Sequence, residues 1–170
     1  MAGDDYFALF GLPARQALDD AGLESAWRAV AAQVHPDRYA TATPAERRVA
    51  MQWAARANEA YRVLRDPLAR ARYLCEQAGA DLQAESNTAM PSEFLMQQMA
   101  WREALDESRG DAQACAGLEA ELRQAAQALA DEVADLLDRQ GDARAAARKV
   151  REWMFVDKLL QELRRARTPD

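Results

Sequence analysis

Wherever this chain carries enough apolar residues to show a period, the period is helical, about 3.6 residues. Leu23, Ala26, Trp27, Val30 and Val34 form one stripe, and Ala50, Trp53, Ala54, Ala57, Tyr61 and Leu64 a second. A third runs through Leu118, Leu122, Ala125, Leu129, Val133, Leu136 and Leu137, and a fourth through Ala146, Val150, Trp153, Val156, Leu160 and Leu163. Little in the composition competes with helix: isoleucine is absent and valine occurs seven times in 170 residues, while alanine, leucine, arginine and glutamate dominate. An all-α fold is expected, and each one-sided stripe must be buried against another helix.

Capping residues set the boundaries. Tyr6 to Phe10 is a short helical turn stopped by Gly11 and Pro13. Asp19 or Asp20 caps the next helix, and Pro36 ends it at Val34 or His35, because the residue before a proline is driven out of the α region. A polar loop follows from Arg38 to Thr41. Thr43 with Pro44 and Glu46 is a capping box with proline at the first helical position. Asp66-Pro67 closes that helix and opens another, which Leu68, Ala71, Cys75 and Ala78 carry to Gly79. Residues 79–91 lose the period and are expected to be a linker. Ser92 is expected to cap a helix reaching about Ser108, Arg109-Gly110-Asp111 makes a turn, and Gly141-Asp142 separates the last two helices. This pattern predicts a helical domain over residues 1–78 and an antiparallel three-helix bundle over 92–170.

Charge and cysteine usage narrow the function. Residues 1–78 hold ten basic and ten acidic side chains, and 79–170 hold twelve and eighteen, so the whole net charge of −6 lies in the second half. Nucleic acid is not an expected partner, since the most basic stretch, Arg47 to Arg72, places most of its arginines on the polar face of one helix. No apolar run approaches the ~20 residues of a membrane span, and the acidic start Met1-Ala2-Gly3-Asp4-Asp5 does not read as a signal peptide. Cys75 and Cys115 stand far apart in helical patterns, as reduced thiols of a cytoplasmic protein would. One histidine and two distant cysteines supply neither a metal-ligand spacing nor a nucleophile with its base, so no cofactor and no enzymatic activity are expected.

Two features exceed what a core needs. His35-Pro36-Asp37 holds the only histidine, and the proline places Asp37 in an exposed turn, where its carboxylate can bind backbone N–H groups or a partner's cation. On the helix from Ser92, Phe94, Gln98, Trp101 and Leu105 share one face, while Leu95, Met96, Met99 and Ala100 lie on the other side, beside Glu103. Counting along the last helix likewise puts Phe155 opposite its core stripe. Surplus apolar residues of this kind either widen the core, face the other domain or make a partner surface; methionine suits the last because it repacks easily.

The order of these elements resembles a J-domain over roughly residues 4–76. A short aromatic helix precedes a helix running into His35-Pro36-Asp37-Arg38, and the next helix ends Asn58-Glu59-Ala60-Tyr61-Arg62-Val63-Leu64-Arg65-Asp66-Pro67, followed by Arg70-Ala71-Arg72-Tyr73. Asp5 to Arg15, Phe94-Leu95-Met96 with Arg102 to Glu107, and Phe155-Val156-Asp157-Lys158-Leu159 extend the likeness nearly full length to the HscB type of J-protein. The resemblance implies a co-chaperone that brings an iron–sulfur cluster scaffold protein (IscU type) to a specialised DnaK-class ATPase (HscA type) and stimulates its ATP hydrolysis. It implies that His35, Pro36, Asp37, Arg28 and Arg38 meet the ATPase, Asp37 facing one of its arginines. It places scaffold binding on Leu95, Met96, Met99, Glu103 and Phe155. Arg38 stands where lysine is common in the family, and Arg28 faces Glu24 on a helix that is usually more basic, which weakens the expected electrostatic contact. A general J-protein whose bundle holds a different client is the alternative.

Overall fold

The computed structural model describes residues 5–82 and 90–167, and every regular element among them is helical. The chain divides into two compact units, Met1–Leu74 and Cys75–Asp170. Most of the expected linker, residues 83–89, lies outside the described residues.

The first unit is built on a hairpin of α2 (Asp20–Gln33) and α3 (Pro44–Arg65). A short α1 (Tyr6–Leu9) packs on α3. Their ends follow the capping residues: Asp19 accepts from the Gly22 N–H, and Thr43 and Glu46 complete the capping box in both directions. Gly22 is less of a weakness than its helix propensity suggests, because a Cβ there would meet Asp19 Oδ2 at 3.2 Å. The core gathers Phe7, Phe10, Leu23, Ala57, Ala60, Leu64 and Tyr73; each large apolar side chain buried this way contributes ~1.5–3 kcal/mol. Trp27 stacks on Tyr61, ring centroids 4.5 Å apart, and donates its indole N–H to Asn58 Oδ1 at 3.0 Å. That clasp holds α2 on α3, and it gives the Asn58 and Tyr61 of the sequence motif a structural role. Arg70, buried on α4 (Pro67–Gln77), donates to the Leu64 carbonyl at 2.7 Å and so satisfies an orphan acceptor at the end of α3.

Trp53 departs from its expected place. It is 42% exposed, because α2 stops at Gln33 and leaves this side of α3 uncovered. The stretch read as a polar loop after Pro36 is a 3₁₀ turn, Pro36–Tyr39. Ala78 lies beyond the end of α4 and is exposed.

In the second unit α5 (Ser92–Glu107), α6 (Ala112–Ala134) and α7 (Ala143–Arg167) form the three-helix bundle, each packing on the other two, with α6 and α7 sharing the longest contact. The buried cluster comprises Trp101, Leu105, Cys115, Leu118, Leu122, Val156, Leu159, Leu160 and Leu163. Asp111 caps α6 by accepting from the N–H groups of Gln113 and Ala114. Ser92 does not cap α5: Pro91 occupies the N-cap position and no side chain bonds there. The end of the third stripe also differs, because Asp135–Arg139 wind as a π turn before Gly141, at φ 63°, reverses the chain.

Tyr73 ties the start of the chain to the first unit. Its hydroxyl accepts from the Tyr6 N–H at 2.9 Å and donates to Asp5 Oδ1 at 3.3 Å, and its ring stacks on Tyr6. Burial, reinforced by the Asp5 carboxylate, raises its phenol above the ordinary range despite the Tyr6 N–H bond, which lowers it. A raised pKa favours the protonated fold. The contribution is therefore complete below the unfolded phenol's value of about 10 and is lost as pH climbs through the folded value. Tyr73→Phe is expected to lower stability at neutral pH by ~1–2 kcal/mol. It should also lessen the extra loss that the wild type shows above pH ~10, as read by chemical denaturation across pH.

Candidate functional site: an exposed turn and an apolar helix face

The first candidate surface follows from Pro36. His35 takes an extended conformation, φ −61° and ψ 136°, and becomes the N-cap of the 3₁₀ turn. The cap works in a way that the sequence did not suggest. The Asp37 carboxylate does not cap the turn. Instead the imidazole Nδ1 of His35 accepts the Asp37 N–H at 3.2 Å, which requires an unprotonated Nδ1 and leaves Nε2 to carry the proton of the neutral ring. The Asp37 carboxylate is thereby free for another molecule: its side chain is 92% exposed, with Oδ2 3.6 Å from Nδ1. The Arg38 N–H returns to the His35 carbonyl at 3.0 Å, and the Tyr39 hydroxyl donates to the Gln33 carbonyl at the end of α2. Together these bonds make the turn a preformed feature.

Arg28 and Arg38 are both exposed. Arg28 is bound to Glu24 at 2.6 Å, so its charge is partly matched within α2. Beside the turn lies a recess of about 410 Å³ lined by Val34, Tyr39, Ala45, Val49, Ala50 and Trp53, with Glu46 at its edge. Sequence reading missed it by placing Trp53 in the core and Tyr39 in a polar loop. The signal was present in Val49, an apolar residue off the core stripe.

The second candidate surface is the outward side of α5. Leu95, Met96 and Met99 are 40%, 71% and 72% exposed, and Glu103 is exposed with them. At 3.6 residues per turn these four fall within about 100° of one another. Trp101 and Leu105 are buried on the other side, where the Trp101 indole N–H reaches Glu121 Oε1 at 3.1 Å. The surplus stripe is therefore on the surface and does not widen the core.

Phe155 requires a correction: it does not point away from the core. It is half-buried and packs against the bundle cluster, with the ring of Phe94 edge-on at 6.1 Å and the Arg102 guanidinium 5.5 Å from its centroid. Counting failed because α7 has two neighbours. One face meets α6 and another meets α5, and Phe155 lies on the second. Arg102 also pairs with Glu162 on α7 at 2.6 Å, a contact that the sequence did not reveal.

Other features lie outside these surfaces. A cavity of about 490 Å³ opens near the α5–α6 turn, lined by Leu105, Ser108, Arg109, Cys115, Glu162 and Arg165. Both cysteines are buried and unpaired. Burial pushes the Cys75 thiol up to about 11, and Cys115 donates to the Ser108 carbonyl. Among the described residues no group of three His, Cys, Asp or Glu could hold a metal ion, and no helix is long and apolar enough to cross a membrane.

Comparison with known proteins identifies the family. Residues 90–164 match the family model of the HscB C-terminal oligomerisation domain. The chain is 70% identical to the co-chaperone protein HscB homolog of Bordetella petrii, over 98% of each chain. The chain belongs to the HscB family. It is also 51% identical to the HscB homolog of Burkholderia multivorans, over 94% of this chain and 92% of that one. The solved structure of chaperone HscB from Vibrio cholerae superposes with a TM-score of 0.82 at 34% identity, covering 96% of this chain and 97% of that one. Human co-chaperone HscB, at 23% identity, shares the fold, with a TM-score of 0.91 over 99% of this chain and 84% of that one. In HscB terms the first unit is the J-domain and the bundle is the C-terminal domain. HscB proteins are co-chaperones of iron–sulfur cluster assembly that work with Hsp70-type chaperones and scaffold proteins, and the family is not an enzymatic one.

The burial pattern separates the residues of the second surface. Phe155→Ala is expected to cost a few kcal/mol, ~2–4, because a partly buried ring leaves a gap beneath Phe94. Leu95→Ala, Met96→Ala and Met99→Ala together should cost less than ~1 kcal/mol, as exposed positions do. Thermal melts of the two variants read the difference.

Proposed function

We propose that this chain delivers an IscU-type iron–sulfur scaffold to an HscA-type DnaK-class ATPase and stimulates its ATP hydrolysis, with no catalytic group of its own. One observation carries the reading. Each compact unit presents a different unsatisfied surface: an uncapped carboxylate on a rigid turn in the first, and a bare aliphatic stripe on α5 in the second. In this reading Asp37 meets a cationic group of the ATPase, with His35 and Pro36 holding it outward. Arg28 and Arg38 add rim charge that acts mostly on association rate, and the recess beside Tyr39 and Trp53 receives an apolar side chain. A protein without catalytic groups changes another's turnover by binding its conformations unequally, which is the role assigned to the turn. Leu95, Met96 and Met99 form the scaffold contact, with Glu103 at its polar edge and the rim of the Phe155 ring beside it.

The reading extends to organisation and place. Residues 1–78 act as the J-domain and 92–170 as the scaffold-binding bundle, joined through 79–91. The end of α4 at Gln77 and the start of α5 at Ser92 support that division. Two buried free thiols fit a reducing cytoplasm. Neither nucleic acid nor membrane is a partner in this scheme.

The test is a separation of activities. Asp37→Asn and His35→Gln should abolish stimulation of the ATPase while leaving scaffold affinity intact. The triple change Leu95→Ala, Met96→Ala, Met99→Ala should do the reverse, weakening scaffold binding at least about a hundredfold in calorimetric titration. Full stimulation by the Asp37→Asn variant would defeat the ATPase half of the proposal, and unchanged affinity of the triple variant the scaffold half. The division is tested by cutting within 79–91. The first piece should be helical and stimulate weakly, and the second should bind scaffold; a second piece unfolded by circular dichroism would mean a shared core.

A further inference from the structure

The apolar stripe sits on the least anchored helix of the bundle. α5 has no side-chain N-cap, and only Trp101 and Leu105 along it are buried apolar residues. Its ion pair to α7 is made by one side chain, Arg102. Arg102 Nη1 lies 2.6 Å from Glu162 Oε2, and its guanidinium covers Phe155, whose ring is met edge-on by Phe94 from one residue before Leu95. Arg102 is one turn beyond Met99 and two beyond Leu95, next to the stripe. Phe155 and Glu162 are seven residues apart on α7, hence on one face.

We infer that Arg102 is a positioning residue for scaffold binding: through Glu162 and Phe155 it fixes how α5 lies on α7, so that Leu95, Met99 and the rim of Phe155 form one continuous surface. The inference rests on the scaffold reading above and deepens it. A guanidinium suits the task because it can face a carboxylate and a ring at once, which an ammonium does less well. With the pair 42% and 32% exposed in their side chains, the bond is a modest one in global stability. Its effect should therefore appear in binding more than in melting.

The experiment measures affinity for the purified iron–sulfur scaffold protein of the same organism, with thermal melts and scaffold-independent ATPase stimulation recorded alongside. Arg102→Ala and Glu162→Gln should each weaken binding on the order of tenfold, and the double variant no more than either alone, since the two act as a unit. Stimulation without scaffold should not change. The exchanged pair, Arg102→Glu with Glu162→Arg, should return affinity to within about threefold of wild type, because an arginine and a carboxylate again meet across the same α5–α7 contact. Weakening by Arg102→Ala alone, with Glu162→Gln silent, would mean direct contact between Arg102 and the scaffold and would overturn the inference. So would failure of the exchange to restore affinity in a protein that melts normally. If the single variants do not fold, the exchanged pair carries the test by itself. The Leu95, Met96, Met99 triple variant on the same titration separates this failure from that of the scaffold reading: a triple variant that binds normally removes the reading itself, whereas a weakened one leaves it standing.

Discussion

Proline at position 36 denies its predecessor the helical conformation, and the first unit's functional surface is a consequence of that one restriction. α2 cannot pass Gln33, so His35 turns extended and brings its ring, in place of a carboxylate, onto the Asp37 N–H. A turn capped by its own aspartate would bury the charge in local bonding. Capped by histidine, it leaves the carboxylate outward on backbone already held by Arg38 and Tyr39. The ordering cost is met during folding, so a partner that binds there does not bear it. The same early stop of α2 uncovers Trp53 and Val49 and creates the recess beside the turn.

The hairpin must hold for any of this to point in one direction. Trp27 on Tyr61, with its N–H on Asn58, does so at the middle of the α2–α3 contact, while Arg70 on the Leu64 carbonyl closes the far end of α3. Apart from Trp27, these residues belong to the motif by which a J-domain is recognised, and their work is packing and capping. The residues left to meet a partner are those the packing does not use.

The bundle follows a different logic. α6 and α7 are apolar enough to bury each other along most of their length, whereas α5 lends the core little and keeps three large aliphatic side chains in solvent. Exposing Leu95, Met96 and Met99 forgoes burial that a stability-driven sequence would take, and a partner that covers them recovers it. The helix that carries a binding face thus relies on polar and aromatic ties at its edge, Arg102 to Glu162 and Phe94 to Phe155, for its orientation.

The sequence by itself determined the helical class, most of the helix ends, the turn at His35-Pro36-Asp37 and a surplus of apolar residues, Leu95, Met96 and Met99, on the side of α5 away from Trp101 and Leu105. Each of these depends on local rules: helical period, proline geometry, the capping box at Thr43, and the simple excess of apolar residues on α5. Only the tertiary structure decided which side chain caps the turn, that Trp53 lines a recess instead of the core, that Phe155 is clasped under Phe94 and Arg102, and that the third stripe ends in a π turn. For Trp53 and Phe155 the reason is the same. A period counted along one helix knows nothing of how many neighbours that helix has or where a neighbour stops, and it is those neighbours that divide apolar residues between core and surface.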